Sequence, residues 1–308
     1  MHVTSSRRIG LIFGKFYPLH CGHIYMIEKA SSEVDELHIM LGCEMDRDLK
    51  LFEQSHMPKQ PQVENRLHWL QETFHHRSSI YIHVLDETGI KPYPNGWLDW
   101  SNRVKSILMQ KGIIPNIIFT SELNDVELHQ HYFNCAVKLV DQNRDYINIS
   151  ATQIRKAPYQ HWQYIAKAAQ PFFVKKICII DNKRDRHLAK QFANIYNTTF
   201  IDSCAHDYFN YENEVYFLSQ QDFIEFALLY AQRLNQAAQQ ANRYLFTDLN
   251  FARLQTNFER KFGYQHALIT ELNNYYNFDM TIDIQQLMKT EQKTDFFSSC
   301  MKIINEHL

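Results

Sequence analysis

The chain has 308 residues, enough for two domains of ordinary size. Its 32 Lys and Arg against 34 Asp and Glu give a formal net charge of −2, which argues against a sequence-independent grip on nucleic acid, since that needs a basic excess. Six scattered cysteines with no C-x-x-C pair read as reduced thiols of a cytoplasmic protein. No apolar stretch approaches the roughly 18 residues of a membrane span, and the run after Arg7-Arg8 breaks at Gly14-Lys15, too early for a signal-peptide core.

In chain order, Ile9–Phe13, Leu37–Leu41, Ile80–Leu85, Ile117–Thr120 and Val137–Val140 are short runs rich in Ile, Val and Leu, each predicted to be a buried strand. Between the first two, Ile24, Ile27 and Ala30 sit within a helical segment. Asn65–Phe74 sets Leu67, Leu70 and Phe74 on one helical face. This alternation predicts an α/β fold, a parallel sheet with helices on both faces and its ligand at the carboxyl ends of the strands.

The first chemical motif is Gly14-Lys15-Phe16-Tyr17-Pro18-Leu19-His20-Cys21-Gly22-His23, which follows the first strand and opens a helix. A helix N-terminus offers unpaired N–H groups and partial positive charge to an anion. Gly14 and Gly22 let the backbone approach a ligand closely. Lys15, His20 and His23 then converge as donors on phosphate oxygens, where imidazoles stabilise the charge of a transition state.

Further along, Arg47-Asp48 is either ligand-facing or a solvated pair at a helix start. In Tyr93–Trp100, Trp97 or Trp100 would stack on a flat aromatic ring and Asn95 would hydrogen-bond a carboxamide, or both indoles would anchor the loop. Ile149-Ser150-Ala151-Thr152-Gln153-Ile154-Arg155 starts another helix after the fifth strand, with Ser150 and Gln153 spaced as a capping box. The same helix end attracts an anion: Ser150 and Thr152 supply hydroxyls, and Arg155 a fixed charge for a leaving pyrophosphate.

A second strand–helix unit begins near residue 171. Lys176–Ile180 reads as a strand and His187–Tyr196 as a helix. Phe223, Phe226, Ala227, Tyr230 and Leu234 form a helical stripe continuing through Ala237, Ala238 and Ala241, and Tyr244–Thr247 and Met280–Ile284 are further strands. Seven of the eight glycines precede residue 170, and only Gly263 follows. The expected domains are therefore 1–170 and 171–308.

Gly14–His23 followed by Ser150–Arg155 resembles the HxGH nucleotidyltransferase superfamily. Residues 9 to 174 are similar to the adenylyltransferase domain of the NadR family, bifunctional nicotinamide-mononucleotide adenylyltransferases and ribosylnicotinamide kinases. Val34–His38, Arg47–Phe52 and Tyr93–Trp97 carry that likeness beyond the superfamily. The resemblance implies a Rossmann-like domain that transfers adenylate from ATP to nicotinamide mononucleotide. His20, His23, Lys15 and Arg155 would be catalytic, and Gly14, Phe16, Gly22, Ser150 and Thr152 would bind ATP. Trp97, Asn95, Arg47 and Asp48 would bind the mononucleotide, and Mg²⁺ would be held mainly by the ATP phosphates, with no protein metal site. Another phosphorylated acceptor, or a sensor that binds NAD or ATP without turnover, remains an alternative.

The same resemblance implies a P-loop kinase in the second domain. Where G-x-x-x-x-G-K-[ST] is due, the chain reads Asp181-Asn182-Lys183-Arg184-Asp185-Arg186-His187-Leu188. Without glycines to turn backbone N–H groups toward phosphates, and without the Lys-hydroxyl pair, this loop is expected to have lost kinase activity. A structural role, including homo-oligomer contacts, or a nucleotide pocket without catalysis is expected instead. Only about eight residues precede the first strand, too few for the DNA-binding module of some family members, so no nucleic-acid or membrane partner is expected.

Overall fold

A computed structural model of the chain describes residues 7–181, 187–202, 219–291 and 296–307. It divides into two compact units, Met1–Phe173 and Val174–Leu308. The boundary anticipated at residue 170 falls at the start of the short helix Gln170–Phe173.

In the first unit, β1 (Ile9–Gly14), β2 (Glu36–Cys43), β3 (Ile80–Asp86), β4 (Ile117–Thr120) and β5 (Ala136–Leu139) form one parallel sheet in the order β3-β2-β1-β4-β5. The central strands are largely apolar, with His38 the exception in β2, because both faces are covered: Leu11, Ile12, Leu37, Ile39, Met40 and Ile118 have no exposed surface. Edge strand β5 alternates exposed and half-buried residues. On one side, α4 (Trp97–Gln110) contributes Val104 and Leu108 to a core with Leu11, Met40, Leu85 and Ile118. α1 (Cys21–Ser31) buries Met26, Ile27 and Ala30, and α3 (Val63–Phe74) buries Arg66, Trp69, Leu70 and Phe74. Strand order reverses between β1 and β4, so a crevice opens beyond their carboxyl ends, where ligands of such sheets bind.

The second unit is another parallel sheet, of β6 (Lys175–Ile180), β7 (Thr199–Ile201), β8 (Tyr244–Thr247) and β9 (Met280–Asp283), in the order β7-β8-β6-β9. Ile177, Ile179, Phe246 and Ile282 pack with Leu188, Phe192 and Ile304 of the covering helices. The aromatic stripe is as expected, with Phe223, Phe226, Ala227, Tyr230 and Leu234 buried on the helix Gln220–Ala238. That helix stops before Ala241, sooner than the sequence suggested. The Asn242 amide donates to Thr198 Oγ1 at 2.9 Å and its side chain to the Asn197 carbonyl at 3.2 Å, which turns the chain into β8. Ile284, expected to end β9, instead begins a helix, because Asp283 accepts from the Gln285 and Gln286 amides and caps it. Among the described residues no helix is long and apolar enough to cross a membrane.

Candidate active site

The loop from β1 to α1 gathers the first motif. Gly14 has the Phe16 ring folded over it, and a Cβ there would lie 2.9 Å from that ring. Phe16 itself is 1% exposed with φ +49°, so it packs beneath the site instead of facing a ligand. His20 is the N-cap of α1, its Nδ1 accepting the Gly22 amide at 3.1 Å. The rings of His20 and His23 stack 3.7 Å apart, and Phe16 meets His23 edge-on at 5.0 Å. Burial, aided by Arg144 and Arg155, pushes His20 down to about 4. Burial, with His20 and the same arginines, holds His23 well below the ordinary histidine range. Both imidazoles are thus neutral near pH 7, and His23 Nδ1 is buried without a protein partner. An unpaired polar atom at such depth is costly and is a common mark of a functional site.

Two cavities adjoin at His23. The larger, about 460 Å³, is lined by Gly14, Lys15, Arg47, Glu87, Trp97 and Trp100, among others. The smaller, about 260 Å³, is lined by His20, Gly22, Arg144, Ser150, Thr152 and Arg155, among others. His23, Met26, Ser121 and Glu122 line both, beyond the carboxyl ends of β1 and β4.

Aromatic side chains wall one part of the larger cavity. Trp97 stacks on Tyr132 at 6.0 Å and meets Trp100 and His129 edge-on at 5.2 Å each. The Trp97 indole N–H is buried without a partner, whereas Trp100 donates to Glu87 at 3.1 Å. Burial pushes His129 down to about 4. Gly96 permits the tight entry to α4, since a Cβ there would sit 2.0 Å from the Lys91 carbonyl oxygen. Arg47 reaches the cavity while donating to Glu44, Glu87 and the Ile90 carbonyl. Two expected ligand contacts lie elsewhere. Asn95 is exposed in the Pro92–Asn95 turn and does not line the cavity. Asp48 is 4% exposed and spends its oxygens on Lys15 at 2.9 Å and Arg66 at 2.6 Å.

In the smaller cavity the capping box forms as the sequence suggests: Ser150 Oγ accepts the Gln153 amide, and Gln153 accepts from the Ser150 amide. Arg155 donates to the Tyr17 carbonyl at 2.8 Å and to Thr152 Oγ1 at 2.9 Å, so it spans the cleft floor. Arg144 joins this wall from a loop held by Asp141, which accepts the Tyr146 and Ile147 amides. Sequence reasoning missed Arg144, His129 and Glu87, because each lies in a segment with neither periodicity nor motif. It also missed Arg66, whose charge at a core position was the one available signal.

In the second unit, residues 182–186 of the expected phosphate-loop position lie outside the described residues. Thr247, at the end of β8, is buried and pairs with the Tyr230 hydroxyl at 2.7 Å. Asp248 follows it.

The cytidylyltransferase-like family model matches residues 11–157. The chain is 40% identical over 281 residues to the trifunctional NAD biosynthesis/regulator protein NadR of Salmonella typhimurium, covering 90% of this chain and 68% of that protein. The Escherichia coli NadR protein is 39% identical over 282 residues, covering 90% and 69%. The fold is similar to that of a NadR protein solved in complex with NR, with a TM-score of 0.72, 22% identity, and coverage of 90% of this chain and 78% of that one. A NadR protein solved with NAD and AMP-PNP gives a TM-score of 0.71 at 22% identity, over 97% and 88%.

Proposed function

The chain belongs to the NadR family, and on that footing we propose that its first unit transfers adenylate from ATP to nicotinamide mononucleotide, giving NAD and pyrophosphate. The observation that carries this reading is the pair of cavities meeting at His23, one aromatic-walled and the other lined with Arg144, Arg155 and helix-capping hydroxyls. ATP occupies the smaller cavity and the mononucleotide the larger, its nicotinamide ring on Trp97 or Trp100. An oxygen of the mononucleotide 5′-phosphate attacks the α-phosphorus of ATP in line. The new P–O bond forms as the bond from that phosphorus to the α,β-bridging oxygen breaks, and pyrophosphate leaves with the electron pair. The attacking phosphate is already ionised, so no protein base is required, and catalysis rests on positioning and charge stabilisation.

His23, between the cavities, donates to the α-phosphate as charge builds, with His20 beside it. Lys15 and Arg47 face phosphate from the larger cavity, and Arg144 and Arg155 hold the departing pyrophosphate. Mg²⁺ would be held mainly through the ATP phosphates and would supply charge neutralisation there. The second unit lacks ribosylnicotinamide kinase activity, because Asp181–Leu188 contains no glycine and no Lys followed by a hydroxyl.

The test supplies ATP or CTP, Mg²⁺ and a panel of phosphorylated acceptors to the purified chain. NAD and pyrophosphate in equal amounts from ATP and nicotinamide mononucleotide are expected. Faster transfer to phosphopantetheine, or preference for CTP, would overturn the assignment.

A further inference from the structure

Lys15, at the wall of the larger cavity, joins the buried Asp48 and Arg66 in an ionic cluster, and the reaction above assigns no role to either of those two. Asp48, in the first turn of α2 (Met45–Glu53), accepts from Lys15 Nζ at 2.9 Å through one oxygen and from Arg66 at 2.6 Å through the other. Arg66, on α3, is 1% exposed, and its second terminal nitrogen donates to the carbonyls of Lys15 at 3.0 Å and Gly42 at 3.1 Å. Its guanidinium lies over the Tyr17 ring at 5.2 Å, and the Tyr17 carbonyl in turn accepts from Arg155. One guanidinium thus braces the β1–α1 loop, the end of β2 and α2 together.

A buried pair of this kind contributes little net stability, because desolvating both charges offsets their attraction. It does fix geometry. A lysine ammonium on a four-carbon stem is strongly hydrated and flexible, yet here it is tied at the wall of the larger cavity. We propose that Asp48, braced by Arg66, is the positioning residue for Lys15. It sets the ammonium beside the cavity before substrate arrives, so the charge meets the reacting phosphates without side-chain reorganisation. This rests on the adenylyltransferase reading.

A positioning role has a signature that a scaffold role lacks. The Asp48 carboxylate repels anionic substrates, so neutralising it costs rate without costing affinity. Asp48→Asn is expected to lower kcat about tenfold while KM for ATP and for the mononucleotide stays level or falls. In a Lys15→Met background the same change is expected to cost less than about twofold, since its effect runs through the ammonium. A folded Asp48→Asn protein with wild-type kcat would overturn the proposal, as would a full tenfold loss multiplying that of Lys15→Met.

A second readout needs neither turnover nor a variant that folds. In the wild type, acetic anhydride is expected to modify Lys15 several-fold more slowly than the exposed Lys156, read by peptide mass spectrometry. Equal rates would show Lys15 untethered and sink the idea even if the chain makes no NAD. Slow Lys15 labelling in a protein that makes no NAD would leave the tether standing and count against the function alone.

Discussion

The two units share one framework and differ in the residues that follow its central strand. Each is a parallel sheet in which a central strand, β1 or β6, is followed in the chain by a helix. In the first unit the connecting loop carries Gly14, Lys15, His20, Gly22 and His23, and two cavities open against it. In the second, the sequence between β6 and the helix Leu188–Ile195 has two aspartates and no glycine. The framework needs only apolar strands and amphipathic helices, which both units keep. Phosphate chemistry needs a few residues at the strand ends, and these can differ between units without cost to the core.

The sharpest way to break the contrast is His23→Ala. Removing a transition-state donor is expected to cut NAD formation by on the order of a hundredfold or more while the circular dichroism spectrum stays unchanged. Near-normal turnover in the folded variant would take His23 out of the mechanism.

Acid separates the units next. His20 and His129 are 5% and 4% exposed, and each is pushed down to about 4. Their unfolded values lie near 6.5, so the unfolded chain binds more protons between those limits. Stability is fully present above about pH 6.5 and is lost as pH falls toward 4, by up to roughly 3 kcal/mol for each residue. In the second unit His187 is exposed and His266 half-buried. In calorimetry from about pH 7.5 to 5, the first unit's transition should therefore fall faster than the second's. Transitions that shift in parallel would contradict this.

Smaller effects sharpen the comparison. Trp97→Ala is expected to raise KM for the mononucleotide about tenfold, or about 1.4 kcal/mol, with KM for ATP little changed. An equal rise for both substrates in steady-state kinetics would point to a collapsed loop. Asp248→Asn, at the corresponding strand end of the second unit, should leave NAD formation within about twofold of the wild-type rate. A larger loss would show that the second unit takes part in the reaction.

Much of this was legible in the sequence. β1, β2 and β4 are covered on both faces, so they appear as apolar runs, broken in β2 only by His38. The histidine motif and the Ser150 cap are local, and spacing alone locates them. What spacing could not give was partnership across the chain. Arg47-Asp48 reads as adjacent polar residues, yet the fold sends Arg47 to the cavity wall and Asp48 into a buried pair with Arg66. Arg144 and His129 reach the cleft only because β4 and β5 end beside it, which no local pattern records. The early stop at Ala238 was hidden for a like reason: its cause is a hydrogen bond to Thr198, 44 residues away.

The measurement that bears most directly on the contrast supplies one preparation with ATP and Mg²⁺ plus either nicotinamide mononucleotide or nicotinamide riboside, and follows NAD. NAD from the mononucleotide alone is predicted. NAD from the riboside at a comparable rate would mean that the second unit phosphorylates it without a recognisable phosphate loop, and the contrast between the units would fall.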